Sequence, residues 1–254
     1  MDIFAYQYDK YYFFWKPHGV PSTFGKEKSF LDSLEESSNI VPPETEGTPF
    51  RDKEGGPAGW EVCKNLINPS LQLVTNLPDI IKNQISTFGK DKEYWLLNRL
   101  DNDTAGFLYF AKDVDTFDRY RHLQSQNHIE KHYIAQVFGS VLPLLDKGGV
   151  RGGFVVDFPI MHRSAEKMIA ITDPKLIIKG RWQQHHVQTF VETLNYDPQT
   201  NISTLLVKIH KGIRHQIRVH LASVGFPIIG DPLYGENVRN DILHLRSIWF
   251  TIVE

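Results

Sequence analysis

Tyr94-Trp95-Leu96-Leu97-Asn98-Arg99-Leu100-Asp101-Asn102-Asp103-Thr104-Ala105-Gly106-Phe107-Leu108-Tyr109-Phe110-Ala111 sets a polar, glycine-terminated turn between two apolar runs. Short apolar runs bounded by turn formers read as strands, so this stretch predicts strand, turn, strand, with the turn side chains presented at a sheet edge. Asp101 and Asp103 stand in that turn. A carboxylate placed there can serve as nucleophile, general base or metal ligand. It can equally be an ordinary turn residue, bonding nearby backbone N–H groups. A metal would need further oxygen or imidazole donors, and Asp101-Asn102-Asp103 makes no complete loop of the calcium type.

Upstream, Tyr11-Tyr12-Phe13-Phe14-Trp15 reads as a buried strand stopped by the turn Lys16-Pro17-His18-Gly19. From Ser22 to about Asn65, prolines, glycines and acids predict an irregular surface insertion with one short helix near Leu31 to Leu34. Downstream, Phe117, Tyr120 and Leu123 fall at helical spacing within a helix over Asp115 to Gln126. Strand-like runs follow at Tyr133 to Phe138, Phe154 to Val156, Met168 to Ile171, Val187 to Leu194 and Ile202 to Ile209. Ile213, Ile217, Leu221 and Val224 form one apolar stripe of a last helix, stopped by Gly225 and Pro227, with Arg214 and Arg218 sharing a polar flank. Many strands and few crossover helices predict an α+β fold, a largely antiparallel mixed central sheet with flanking helices and loops, as one domain over residues 1–254. A doubly wound sheet is disfavoured.

The 254 residues are 41% hydrophobic and 12% aromatic, enough to bury a core and too apolar for a disordered chain. A lone cysteine, Cys63, excludes a disulfide-stapled fold and reads as a free thiol. No apolar run reaches the roughly 20 residues that cross a bilayer. Met1-Asp2-Ile3-Phe4 opens no basic segment followed by an apolar stretch, so the expected location is the cytoplasm. Net charge is −2, so any contact with nucleic acid must be local. From Arg151 onward 12 Lys and Arg face 9 Asp and Glu, which puts the basic surface in the C-terminal half. His215 and His220 lie five apart, about 140° around a helix, and cannot chelate one ion from one face. Cys-x-x-Cys, His-Glu-x-x-His, phosphate-loop and Gly-x-Ser-x-Gly patterns are absent from the sequence.

Four segments, read together, carry a resemblance. Asn98 to Gly106 resembles the His-Arg-Leu-Asp-x-x-Thr-Ser-Gly signature of the RluA-type pseudouridine synthases. Lys131-His132-Tyr133-Ile134-Ala135 resembles that family's Lys-x-Tyr-x-Ala strand. His215-Gln216-Ile217-Arg218-Val219-His220, with Gly225 through Gly235, resembles its C-terminal motif, and Lys16-Pro17-His18-Gly19 its Lys-Pro-x-Gly turn. The order is that of the family, and the match spans roughly residues 10 to 253.

The resemblance implies the pseudouridine synthase fold and an enzyme that isomerises uridine in ribosomal or transfer RNA, without cofactor or metal. No segment before Lys16 is long enough for the small RNA-binding domain many relatives carry, so a bare catalytic domain is expected, acting as a monomer. Asp101 matches the essential aspartate, Arg218 its ion-pair partner and Tyr133 the tyrosine beneath the uracil. Arg99 matches the arginine that supports base flipping. The substrate-binding set is completed by Leu100, Thr104, His215 and Ile217, with Leu100 and Ile217 walling the Asp101 and Arg218 positions. The chain departs from the family pattern at Asn98, Ala105 and Ile213. These departures are the ground for an alternative, a catalytically silent RNA-binding or folding helper of the same fold.

Overall fold

The computed structural model describes residues 5–23, 29–36, 72–73, 80, 83–84, 95–141, 153–173, 175, 184–235 and 242–253. Most of the expected 22–65 insertion, and Cys63, lie outside them. The chain divides into two units, Met1–Gln126 with Ser247–Trp249, and Asn127–Arg246 with Phe250–Glu254.

In unit 1, β1 (Ala5–Tyr8) and β2 (Tyr11–Lys16) form a hairpin whose turn uses Asp9 at φ 48°. β1 also pairs with β3 (Gln72–Leu73), and β2 pairs with β4 (Ala105–Ala111), all antiparallel. The β2–β4 register runs from Tyr11 opposite Ala111 to Lys16 opposite Gly106, which sets Lys16 beside the end of the Asp101 turn. All seven β4 residues are buried. Phe13 stacks on Trp249 at 4.7 Å and meets Phe107 and Tyr109 edge-on, an aromatic core whose geometry adds to its area burial. Tyr109 donates from its hydroxyl to the Trp249 carbonyl.

The short helix expected near Leu31 is α1 (Phe30–Glu36), capped by reciprocal bonds between Ser29 and Asp32. Helix α2 (Val114–Ser125) starts on Asp113, whose carboxylate accepts the Thr116 N–H at 2.7 Å. The run before the Asp101 turn is not the strand expected. Among the described residues of that run, Trp95 adopts φ 63° and Leu96 makes an isolated bridge to Phe110. The Leu96 and Leu97 carbonyls accept instead from Arg121 of α2.

Unit 2 carries β5 (Ile129–Phe138), β10 (Ile202–Ile209), β9 (Thr189–Asp197) and β6 (Phe154–Val156), antiparallel in that order. A separate hairpin, β7 (Ile160–His162) and β8 (Met168–Ala170), packs with Val187 and with Val219 of helix α3 (Gln216–Ser223). A last strand, β11 (Leu245–Ile252), contributes Ser247–Trp249 to unit 1 and its remaining residues to unit 2. The architecture is α+β, as the sequence predicts, with β1, β3, β7 and β11 added to the strands legible there.

The last helix differs from its sequence reading. His215 takes φ 55° at its N-cap, so Ile213 and Arg214 precede the helix and Arg214 cannot share a flank with Arg218. Residues 216–221 are all buried, so no polar flank exists on this segment. The sequence stripe is a helix sunk into the core, and its one arginine is neutralised there.

Candidate active site

The Asp101 turn is built by its neighbours. Thr104 N–H closes the turn on the Asp101 carbonyl at 3.1 Å. Asn98 is buried and stitches the turn's entry to β4, accepting from Tyr109 N at 2.7 Å and donating to the Phe107 carbonyl at 3.2 Å. An amide offers a donor and an acceptor side by side, and both are used by the β4 backbone. Alternation along the turn leaves Arg99 exposed, Leu100 and Thr104 buried, and Asp101 half-buried. Gly106 follows at φ 118°, and a Cβ there would run into the Ser247 backbone, so glycine is required.

The Lys16–Ser22 turn lies against this loop. Lys16 is fully buried and donates to the carbonyls of Pro17 (2.9 Å), Val20 (2.7 Å) and Asn102 (2.9 Å). Burial pulls its ammonium down to about 7, while the charges of Asp103 and Asp101 pull it back up. His18 Nδ1 donates to the Asp103 carbonyl at 2.7 Å. Ser22 Oγ donates to the Leu100 carbonyl at 2.7 Å and accepts from Leu100 N–H at 3.0 Å. Unit 1 therefore gathers Arg99, Leu100, Asp101 and Thr104 on one braced turn, with a buried cation in the field of the carboxylates.

Unit 2 holds Tyr133, His215, Ile217 and Arg218. Tyr133 is buried on β5, opposite Val207 of β10. Ile217 and Arg218 are buried on α3. Arg218, at 1% exposure, gives Nε and Nη2 to the two oxygens of Asp231, both at 2.8 Å. Asp231 Oδ1 also accepts the N–H groups of Leu233 and Tyr234. The carboxylate that receives Arg218 in a bidentate pair is thus Asp231, where the sequence reading names Asp101, a residue of unit 1. The Asp101 partnership is correspondingly a matter of the proposed reaction.

Tyr234 gathers the rest. Its ring lies 5.5 Å from the Arg218 guanidinium carbon and 5.2 Å from Lys167 Nζ. Its hydroxyl lies 3.1 Å from His215 Nδ1, accepts from Met168 N–H at 2.9 Å and donates to the Met168 carbonyl at 3.2 Å. Burial, then the charges of Arg218 and Arg214, hold His215 down to about 4, so it is neutral at physiological pH. His220 spans Thr189 Oγ1 and the Phe158 carbonyl, both at 2.8 Å, which makes it a structural bridge. Asp231 and Tyr234 carry no role in the sequence reading. The available signal was the Gly-Asp-Pro-Leu-Tyr-Gly run, Gly230 to Gly235, within the C-terminal motif. Among the described residues no group of three or more His, Cys, Asp or Glu could hold a metal ion. Among them, too, no helix is long and apolar enough to cross a membrane.

Residues 10–223 match the family model described as RNA pseudouridylate synthase. A relative named ribosomal large subunit pseudouridine synthase D, from Nitrosomonas europaea, is 36% identical over 142 residues, covering 55% of this chain and 35% of the relative. A Saccharomyces cerevisiae protein named tRNA pseudouridine(32) synthase, mitochondrial, is 29% identical over 145 residues, 55% of this chain and 27% of that protein. The matches thus span about a third of these relatives' length. Among solved structures, human RNA pseudouridylate synthase domain containing 4 superposes with a TM-score of 0.55 at 18% identity, covering 96% of this chain and 82% of that one. At that identity the likeness speaks for the fold.

Proposed function

Because the chain belongs to the RNA pseudouridylate synthase family, we propose that it converts uridine to pseudouridine in structured RNA, ribosomal or transfer. The reaction breaks the N1–C1′ bond of a uridine, turns the freed uracil and joins C5 to C1′. The C5 hydrogen leaves to solvent and N1 gains a proton, so nothing is oxidised or reduced. Asp101 is the catalytic group, either as nucleophile toward C1′ or C6, or as the base that takes the 2′ proton to give a glycal. The flipped uracil stacks on Tyr133, where base–aromatic stacking supplies about 1–3 kcal/mol. Arg99, exposed beside the turn, supports flipping. Leu100 and Ile217 wall the site, and Thr104 and His215 line it. Arg218, which forms a buried bidentate pair with Asp231, is the residue we assign as the partner of Asp101 in the reaction. We assign the reaction to a monomer in the cytoplasm, with residues 1–254 as one catalytic domain.

The observation that supports this most is the bracing of the Asp101 turn. The turn that carries half-buried Asp101 is held by side-chain bonds from Lys16, His18 and Ser22 to the carbonyls of Asn102, Asp103 and Leu100, with the Lys16 amine buried beside it. The test is tritium release from RNA carrying 5-tritiated uridine. Wild-type protein should release tritium, and Asp101→Asn should lower the rate at least about a hundredfold while still binding RNA. Binding without release in both proteins would instead favour the silent helper, the reading for which Asn98, Ala105 and Ile213 speak.

A further inference from the structure

We propose that His18 and Ser22 are positioning residues of this reaction, clamping the backbone on both sides of Asp101 so that its carboxylate is presented in one direction. This assignment rests on the isomerase reading above and adds two residues to it. Four consecutive carbonyls of the turn have named donors. Leu100 O takes Ser22 Oγ at 2.7 Å, Asp101 O takes Thr104 N–H at 3.1 Å, Asn102 O takes Lys16 Nζ at 2.9 Å, and Asp103 O takes His18 Nδ1 at 2.7 Å. Three of the four donors come from the side chains of one seven-residue turn, Lys16 to Ser22.

Ser22 uses its hydroxyl twice on one residue, donating to the Leu100 carbonyl and accepting the Leu100 N–H, which locks the peptide planes entering Asp101. His18 does the same work on the exit side. A carbonyl only accepts, so the proton must sit on Nδ1, and both the neutral tautomer and the imidazolium supply it. His18 fills the variable position of the Lys-Pro-x-Gly pattern and supplies the donor there. The consequence is geometric. Misplacing a reacting group by about 1 Å costs on the order of a hundredfold in rate, and the φ and ψ of Asp101 are bounded by bonds at residues 100, 102 and 103.

The experiment pairs each disruptive variant with one that keeps the bond. His18→Asn retains an N–H near the Nδ1 position and Ser22→Thr retains the hydroxyl, whereas His18→Ala and Ser22→Ala remove them. Tritium-release kcat, RNA Kd and NMR amide exchange of Leu100 and Thr104 are measured on each. We expect His18→Ala and Ser22→Ala to lower kcat at least tenfold with Kd within twofold of wild type. His18→Asn and Ser22→Thr should stay within threefold of wild-type kcat. Exchange should accelerate at least tenfold at Thr104 in His18→Ala and at Leu100 in Ser22→Ala. Unchanged kcat in both alanine variants, or a His18→Asn protein as impaired as His18→Ala, overturns the assignment. Wild-type protein that releases no tritium overturns the isomerase reading instead. The exchange data then decide separately whether the clamp exists, and unaltered protection in both alanine variants removes it. If Ser22→Ala does not fold, the half-buried His18 pair decides.

Discussion

A guanidinium sealed from solvent needs a carboxylate sealed with it. Arg218 and Asp231 meet that condition, with side chains 1% and 0% exposed and two bonds of 2.8 Å. Removing one charge of such a pair leaves the other buried without compensation, which costs about 3–5 kcal/mol. Asp231→Asn should therefore lower urea-unfolding stability by roughly that amount, and a loss under about 1 kcal/mol would contradict the pairing. The resemblance pairs Arg218 with Asp101, an assignment that belongs to the proposed reaction. Nothing in the linear order points to an aspartate 13 residues downstream, so the Asp231 pair was not legible there. Lys16 was read as the start of a turn, and its burial was not legible because a lysine closing an aromatic run carries no mark of it. Its burial makes a pH prediction. The ammonium titrates near 7 when folded, against 10.5 for an unpaired lysine, so between those values the unfolded chain binds the extra proton and stability rises with pH. Relative to Lys16→Met, wild-type stability should climb from pH 7 to about 10.5 by a few kcal/mol at most, measured by urea unfolding. A flat or falling difference would show that the amine stays charged in the fold.

Elements with long, clear periodicity were legible, among them β2, β4, β5, β9, β10 and α2. Those that were not share physical reasons. β3 spans two residues, too short for a pattern, and β11 hides Arg246 and Ser247 inside an apolar run. The start of α3 was misplaced because the break at His215 is a backbone event, a left-handed residue that the apolar spacing runs straight through. Beside the apolar packing of the β7–β8 hairpin on α3, Tyr234 adds a polar tie, its hydroxyl bonding both backbone groups of Met168 and His215 Nδ1. Tyr234→Phe keeps the ring beside Arg218 and Lys167 and deletes only the hydroxyl. It leaves Met168 N–H and C=O without that partner, a loss of about 1–3 kcal/mol that falls on the hairpin first. Amide exchange at Met168 should speed up by at least tenfold, with exchange in β5 and β10 unaltered. Equal acceleration in all three would mean that the hydroxyl supports the unit as a whole.

At the scale of the molecule the decisive quantity is where charge sits. A chain of net charge −2 has no global attraction for a polyanion, so the proposed RNA contact must come from a local surplus. Unit 2 carries exposed Arg163 and Lys167 on the loop between β7 and β8, and exposed Lys211 and Arg214 ahead of α3. Arg214 donates to the Ala165 carbonyl at 2.8 Å, which ties that loop to the segment before the helix and brings the cations of both onto one tethered surface. Each cation that neutralises a phosphate releases a counterion, and the affinity then falls with salt by about 0.7–0.9 log units per contact for each tenfold rise. Four such contacts predict a slope near −3, so raising salt from about 50 to 200 mM should weaken RNA binding roughly a hundredfold. Replacing Lys167 and Lys211 with Gln should flatten the slope by about one unit per residue and weaken all RNA sequences alike, because phosphate contacts position without reading bases. Titrations at several salt concentrations, fitted for both proteins, decide it. A variant slope equal to that of wild type would remove these lysines from the interface and force the binding surface onto another part of the chain.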